Sequence, residues 1–286
     1  MEVVRLQDPR EFDRLTKALL LRDEARHNLI LGLTTTLIER PHVYDQFLLA
    51  VVDDRGHPVA AAIQTVPFNL AVSRPSLGGA LALLARDLHQ QGASLPGAVG
   101  GVPEVEEFVR AWTALSGKRA VVAMAQGIYR LQSVRPPRPR KGSMRDARSS
   151  DRDLLVEWME AFRDEALGGI SLVEPERMVD LRLDGNGVGL VLWEDGDPVS
   201  VAGFGGRTPN GTRIGPVYTP PALRRRGYAS ALVAALSQRL LDEGRTFCFL
   251  YTDMSNPTSN RIYRDIGYER VCDSMEYRFQ ETTRPG

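Results

Sequence analysis

Two cysteines cannot staple a chain of 286 residues. Cys248 and Cys272 fall in runs that read as strands, so buried thiols are expected and a disulfide framework is not. Neither sign of charge is in excess, with Lys plus Arg and Asp plus Glu at 36 each. A global field that would gather nucleic acid or an anionic membrane is therefore absent. No apolar run approaches the ~18 residues that cross a bilayer, and Met1-Glu2-Val3-Val4-Arg5 lacks the apolar core of a secretion signal. The expectation is a cytoplasmic protein without nucleic-acid or membrane partners. Histidine is scarce too: His27, His42, His57 and His89 all lie in the N-terminal half and are too scattered for a zinc site. No bound metal is expected, and the C-terminal half has no histidine of its own to act as a base.

What is present divides the chain. The length favours about two domains, and Val134-Arg135-Pro136-Pro137-Arg138-Pro139-Arg140-Lys141-Gly142 is proline-rich, basic and without apolar periodicity, as a solvated linker is; anion binding by Arg135 to Lys141 is the lesser alternative. Domains over 1–134 and 143–286, joined by 135–142, follow. Three short stretches recur in the same order in both. Arg22-Asp23-Glu24-Ala25 returns as Arg163-Asp164-Glu165-Ala166, an offset of 141. Asp53-Asp54-Arg55-Gly56-His57-Pro58-Val59 resembles Glu194-Asp195-Gly196-Asp197-Pro198-Val199, with Gly56 and Gly196 offset by 140. Tyr129-Arg130-Leu131-Gln132 returns as Tyr277-Arg278-Phe279-Gln280, an offset of 148. The middle pair sits between apolar runs, Phe47 to Val52 and Val188 to Trp193, so each half carries a hairpin there. A tandem duplication of one fold is expected.

The stretch richest in chemistry runs from Ile214 to Tyr268. An apolar strand, Ile214-Gly215-Pro216-Val217-Tyr218-Thr219, turns at Pro220-Pro221 into Arg224-Arg225-Arg226-Gly227-Tyr228-Ala229 and then a helix carrying Leu232, Val233, Leu236 and Leu240 at helical spacing. The first turn of a helix has amides without partners and the positive end of the dipole. Glycine lets the backbone approach an anion, and the arginines add charge at the rim. Strand, basic glycine turn and helix together make a diphosphate site. Gly244 stops the helix, Thr246 to Tyr251 reads as a buried strand, and Asn256-Pro257 fits an N-cap with proline at the first helical position. That short helix carries Asn260, Ile262, Tyr263 and Ile266 and stops at Gly267 before a last strand from Tyr268 to about Cys272. Gly203-Phe204-Gly205-Gly206 has no helix after it and reads as a strand end or turn, not a dinucleotide fingerprint. Gly185-Asn186-Gly187 reads as a turn.

These residues resemble the acetyl-CoA core of the GNAT superfamily of N-acyltransferases. Arg224-x-x-Gly227-x-Ala229 is similar to its pyrophosphate signature, and Asn256 to Tyr263 resembles its second cofactor-contacting segment; the likeness extends over roughly 143 to 280. It implies an α/β fold of two GNAT-like domains, each a mixed, mostly antiparallel sheet flanked by helices, with CoA between two splayed strands. The backbone of Val217, Tyr218 and Thr219 would pair with pantetheine. Arg224 and the amides from Arg225 through Arg226, Gly227, Tyr228 and Ala229 to Ser230 would hold the pyrophosphate, with Asn256 and Asn260 in the second segment. Acetyl-CoA is then the co-substrate. Subtracting 141 from Arg224–Ala229 lands on Leu83–Leu88, which reads as helix without a glycine turn. The N-terminal half is therefore expected to keep the fold, lack the phosphate turn, and shape the substrate cleft or stabilise the protein.

Acyl transfer to an amine needs a neutral amine and a proton for the leaving thiolate. A free alkyl amine has a pKa near ~10, so a base or a water chain is required. Tyr263 stands where the family places its general acid; on the residues alone it is equally a packing residue beside Ile262 and Ile266. Asp253, just past a core strand, is one candidate base. Glu165, whose match at Glu24 points to a capping role, Glu174, and Glu194 in a solvated hairpin turn are others, and ordered water competes with all four. The acceptor is a small-molecule or peptide amine of open identity. Monomer and homodimer are both open, since a tandem pair can substitute for a dimer. A CoA-binding regulator without catalysis, a longer acyl-CoA and an aminoacyl-tRNA donor are the alternative readings.

Overall fold

The computed structural model describes residues 1–166, 174–185 and 187–282. Asn186 lies outside them; its neighbours Gly185 and Gly187 have the left-handed φ of a turn, 81° and 83°. The chain runs through one order of elements twice. The first pass is β1 (Glu2–Leu6), α1 (Pro9–Leu20), α2 (Asn28–Glu39), β2 (Phe47–Asp54), β3 (His57–Thr65), β4 (Leu70–Val72), α3 (Ala80–Gln90), β5 (Gly97–Gly101), α4 (Glu104–Ser116) and β6 (Arg119–Leu131). The second is β7 (Ser143–Asp146), α5 (Arg152–Ala166), α6 (Pro175–Leu183), β8 (Gly189–Asp195), β9 (Asp197–Gly205), β10 (Gly211–Tyr218), α7 (Tyr228–Asp242), β11 (Phe247–Asp253), α8 (Pro257–Asp265) and β12 (Glu269–Gln280).

Two compact units result, and neither is a continuous piece of chain. One comprises Met1–Ile128, Asp253–Ser255 and the chain from Val271 on; the other comprises Tyr129–Thr252 and Asn256–Arg270. In the first, β1, β2, β3 and β4 pair antiparallel in sequence, β4 pairs parallel with β5, and Ser274–Arg278 of β12 runs antiparallel to Gly97–Gly101 of β5. In the second, β7, β8, β9 and β10 form an antiparallel meander and β10 pairs parallel with β11. Both sheets are thus mixed and mostly antiparallel.

Each sheet is buried on both faces, which is why its central strands read as unbroken apolar runs. Along β2, Leu49 and Val51 meet Phe12, Ile30 and Leu37 of α1 and α2, while Ala50 and Val52 meet Leu81, Leu84 and Phe108 of α3 and α4. The same alternation along β8 sends Val191 and Trp193 to α7 and Leu190 and Leu192 to Leu155 and Trp158 of α5. Both hairpins carry a register shift at the same point, Val52/Asp53 and Trp193/Glu194, and turn on glycines with φ of 82° at Gly56 and 81° at Gly196.

One expectation for the first half needs correction. The residue there equivalent to Gly227, the N-cap of α7 at φ 82°, is Gly79, the N-cap of α3 at φ 79°. These glycines are 148 positions apart, not 141, so a glycine turn does precede α3. What it lacks is the charge: Ser76-Leu77-Gly78 stands where the second half has Arg224-Arg225-Arg226. The first unit instead holds a buried ion pair. Arg26 Nε and Nη2 donate to Glu104 at 2.5 and 2.8 Å, and Nη2 also donates to the Val102 carbonyl at 2.7 Å. Gly101 makes room for it, since a Cβ there would lie 2.4 Å from Glu104 Oε1. Burial holds His27 next to it below the ordinary histidine pKa. Its Nδ1 donates to the Leu20 carbonyl and Nε2 accepts the Arg74 amide, so both nitrogens are spent on structure. With side chains 9% and 3% exposed, deleting one partner strands a buried charge. Arg26→Ala is expected to lower unfolding free energy by about 3–5 kcal/mol in chemical denaturation; a loss under ~1 kcal/mol would mean the pair is effectively solvated.

The stretch 135–142 is solvent-exposed along nearly its whole length, as a linker is, but its backbone is tied down near both ends. The Arg135 amide donates to the Ile266 carbonyl at 2.9 Å, Trp193 Nε1 donates to the Lys141 carbonyl at 2.9 Å, and Val134 packs on the core of the second unit. No helix among the described residues is long and apolar enough to cross a membrane.

Candidate functional site

The second unit opens where β10 leaves β11. Pairing is registered only from Gly211↔Phe247 to Arg213↔Phe249, while β10 runs on to Tyr218. On its other edge β10 rejoins β9 after a bulge, at Val217↔Ala202 and Tyr218↔Val201. The Tyr218 carbonyl accepts from Ser200 Oγ at 3.0 Å, toward β9. Successive residues of a strand direct main-chain groups to opposite edges, so Val217 and Thr219 face the edge that β11 leaves open. The Thr219 carbonyl accepts there from Arg224 Nε at 2.8 Å. Of the small residues nearby, Gly203 is closed in, with Arg182 Nη1 and the Gly215 carbonyl each 2.8 Å from where a Cβ would sit, whereas Gly215 has open space.

Beyond β10 the chain passes through the basic turn into α7. Arg225 takes a left-handed backbone, φ 63°, which costs a residue with a Cβ about 1–2 kcal/mol; such outliers gather at functional sites. Gly227 has no side chain to cap the helix, and the first intrahelical bond is Ala231 N to the Gly227 carbonyl. The amides of Tyr228, Ala229 and Ser230 therefore begin α7 without helical partners. Arg225 and Arg226 are exposed. Arg224 is not aimed the same way: Nη2 donates to Glu165 Oε2 at 2.6 Å and its guanidinium lies 5.6 Å from the Tyr218 ring centre. Tyr218 OH donates to Glu165 Oε1 at 3.4 Å, and burial, then the Glu165 charge, raises its pKa above the ordinary tyrosine value. Arg224 thus ties α5 to the strand end. Arg224→Ala is expected to weaken an anionic ligand at the turn less than Arg226→Ala does, which titration of both variants measures; the reverse order would give Arg224 the direct contact.

α8 begins as the sequence implies, with Asn256 Oδ1 accepting the Ser259 amide at 3.1 Å. That side chain is spent on the cap, and Asn260 is buried. Tyr263 packs at the edge of the core that also receives Val217 and Tyr228, with its ring 5.9 Å from Tyr268 in an edge-on contact. Burial pushes its hydroxyl up to about 12.

The carboxylates separate. Asp253 ends β11 and accepts from both the amide and the hydroxyl of Ser255 at 2.8 Å; it belongs with the first unit. Glu165 is held by Arg224, which is a tie between elements and not the cap its match at Glu24 implied. Glu194, expected to be solvated, is paired with Arg145, which Asp151 also binds at 2.7 Å. Cys248 is buried, Cys272 is partly so, and neither is in a disulfide. Among the described residues no cluster of three or more His, Cys, Asp or Glu is placed to hold a metal.

Comparison with known proteins follows this geometry. Residues 188–278 match the model of the FR47-like protein family. No curated protein matches the chain. Among solved structures, a Drosophila protein superposes with a TM-score of 0.70 at 14% identity, covering 98% of both chains. A GCN5-related N-acetyltransferase from Sphaerobacter thermophilus gives 0.63 at 17%, covering 96% of this chain and 95% of that one. A tandem GNAT protein from the clavulanic acid biosynthesis pathway gives 0.62 at 15%, covering 100% and 99%. The fold is the tandem GNAT fold. In this GNAT-fold chain the family match spans β8, β9, β10, α7, β11, α8 and most of β12, and so includes the opening and its basic turn.

Sequence reasoning passed over one residue here. A Cβ added at Gly227 would lie 2.5 Å from Arg140 Nε and 3.1 Å from its Cζ. Nothing in a run of alternating arginines and prolines marks which arginine folds back onto a turn 87 positions later.

Proposed function

We propose that the second unit binds acetyl-CoA and transfers the acetyl group to a primary amine of a small molecule or peptide. The observation that carries this reading is the open edge of β10 past Arg213, leading straight into a glycine-capped helix N-terminus. An extended pantetheine amide chain fits an unpaired strand edge as an added strand would, and a diphosphate fits unpartnered amides flanked by arginines. Acetyl-CoA supplies a thioester carbonyl for the amine to attack, with CoA leaving as its thiolate.

The residues then divide the work. Val217 and Thr219 present main-chain groups to the pantetheine. The amides from Arg225 to Ser230, with Arg226 at the rim, hold the diphosphate, and glycine at 227 lets it come close. Asn256 shapes the start of α8, and Asn260 and Tyr263 follow on that helix. The Tyr263 hydroxyl donates to the departing sulfur. Asp253 is held by Ser255, which fixes its orientation, and Glu165 is engaged by Arg224, so a water chain is the better route for the amine proton. The closed surroundings of Gly203 favour a short acyl group.

Isothermal titration of acetyl-CoA into the full chain tests the reading, followed by thiol-release assays over a panel of amines. One micromolar site per chain is expected, because the first unit has Ser76-Leu77-Gly78 in place of the arginines and a β4 of only three residues. No binding, or two equivalent sites, would overturn it.

A further inference from the structure

Resting on the CoA reading above, we propose that Arg140, in the segment joining the two halves of the chain, is a further phosphate-binding residue that holds the cofactor's diphosphate against the first turn of α7. Its guanidinium lies where a side chain at Gly227 would go, within 3.1 Å of that Cβ position at Nε, Cζ and Nη2. Glycine at 227 therefore makes room for this arginine as well as for an approaching anion.

The electrostatics of that placement call for a dianion. A guanidinium at the N-terminus of a 15-residue helix faces the positive end of the dipole. Exposed Arg225 and Arg226 crowd the same turn, and like charges in one place repel. Among the described residues Arg140, Arg225 and Arg226 have no carboxylate partner. Asp195, which meets the neighbouring residues Lys141 and Tyr228, is taken by Tyr228 OH at 2.8 Å and by Lys141 Nζ at 3.5 Å. A diphosphate offers oxygens on several sides. It can accept from the helix amides on one and from the planar fork of a guanidinium on another.

The backbone already holds Arg140 in place. Arg135 is anchored to Ile266 through its amide, the Lys141 carbonyl to Trp193, and Gly142 sits so close to the Glu194 carbonyl that a Cβ would come within 2.2 Å of it. Between such anchors little backbone entropy remains to be lost on binding.

Titration of CoA and dephospho-CoA into the wild type, Arg140→Ala, Arg140→Lys and Arg138→Ala tests this, with unfolding midpoints confirming that the exposed substitutions leave the fold intact. Arg140→Ala is expected to weaken both ligands by the same factor, about ten-fold or more. Arg140→Lys should recover part of the loss, and Arg138→Ala, which removes the same charge two residues away, should bind as the wild type does. Unchanged binding by Arg140→Ala overturns the proposal. So does a loss confined to CoA, which would move the contact to the 3′-phosphate, or an equal loss in Arg138→Ala, which would reduce it to a general field. If the wild type itself fails to bind CoA, the cofactor reading falls and this one falls with it; binding by the wild type with no effect at Arg140 removes this one alone.

Discussion

Tyr263→Phe is expected to lower kcat about 100-fold while changing acetyl-CoA affinity less than about two-fold, in line with the 10²–10⁴ typical of a positioned proton donor. Phenylalanine keeps the ring that packs against Tyr268 at 5.9 Å, so the core and the shape of α8 persist. Only the hydroxyl is lost, and it has no hydrogen-bond partner among the described residues. Burial pushes that hydroxyl from 10.0 to about 12, which decides both its role and its pH behaviour. A tyrosine this weakly acidic stays protonated across any enzyme assay, so no fall in rate near pH 10 should trace to it. It is a weaker acid than a thiol of pKa ~8.5, so the role proposed for it is to donate a hydrogen bond as charge grows on sulfur rather than to hand over its proton beforehand. The linkage sign follows: a pKa raised on folding contributes stability that is fully present below pH 10 and is lost as pH climbs through about 12. Tyr263→Phe should blunt that alkaline loss. A variant with kcat within about three-fold of the wild type would make Tyr263 a packing residue and remove the acid from the mechanism.

The order of elements was legible because each is marked locally. Alternating burial on two-sided sheets produced the apolar runs of β2 and β8, Gly56 and Gly196 marked matching hairpins, and Asn256-Pro257 wrote its own cap. The turn before α7 was legible for the same reason, since glycine, arginines and helix start all lie within six residues. Contacts between distant segments were not. Glu165 and Arg224 are 59 positions apart, and neither side of that pair carries a mark of the other. The last strand was read as ending near Cys272, yet it continues to Gln280 because Ser274–Arg278 finds a partner in β5; a sequence does not say which sheet edge is waiting. The repeat misled in an instructive way. Leu70 and Gly211 open the equivalent strands β4 and β10 at an offset of 141, but Gly79 and Gly227 stand at 148. The residues the second half gains fall between those two points, in the extension of β10 and the basic turn. The change in offset between the second and third repeated stretches was the visible trace of the longer β10 and the basic turn of the candidate site.

Gly227→Asp is expected to weaken acetyl-CoA binding at least about 100-fold, near 2.7 kcal/mol, without unfolding the protein. Three effects act together. At φ 82° a residue with a Cβ is strained by about 1–2 kcal/mol, somewhat less for aspartate. The new Cβ would sit 2.5 Å from Arg140 Nε, so the guanidinium must move off the turn. The carboxylate would then occupy the position proposed for a phosphate, adding like-charge repulsion and capping the same amides that phosphate would use. That last effect also protects the fold, because aspartate is among the best N-caps and offsets the backbone strain; the unfolding midpoint should move by only a few degrees. Gly227→Ala separates the contributions. It carries the strain and the collision without the charge, so a loss of about ten-fold is expected, and what remains between alanine and aspartate measures the competition for the helix N-terminus. If both variants bind as the wild type does, the turn before α7 is not where the phosphates sit, and the splayed edge of β10 would have to be reassigned with it.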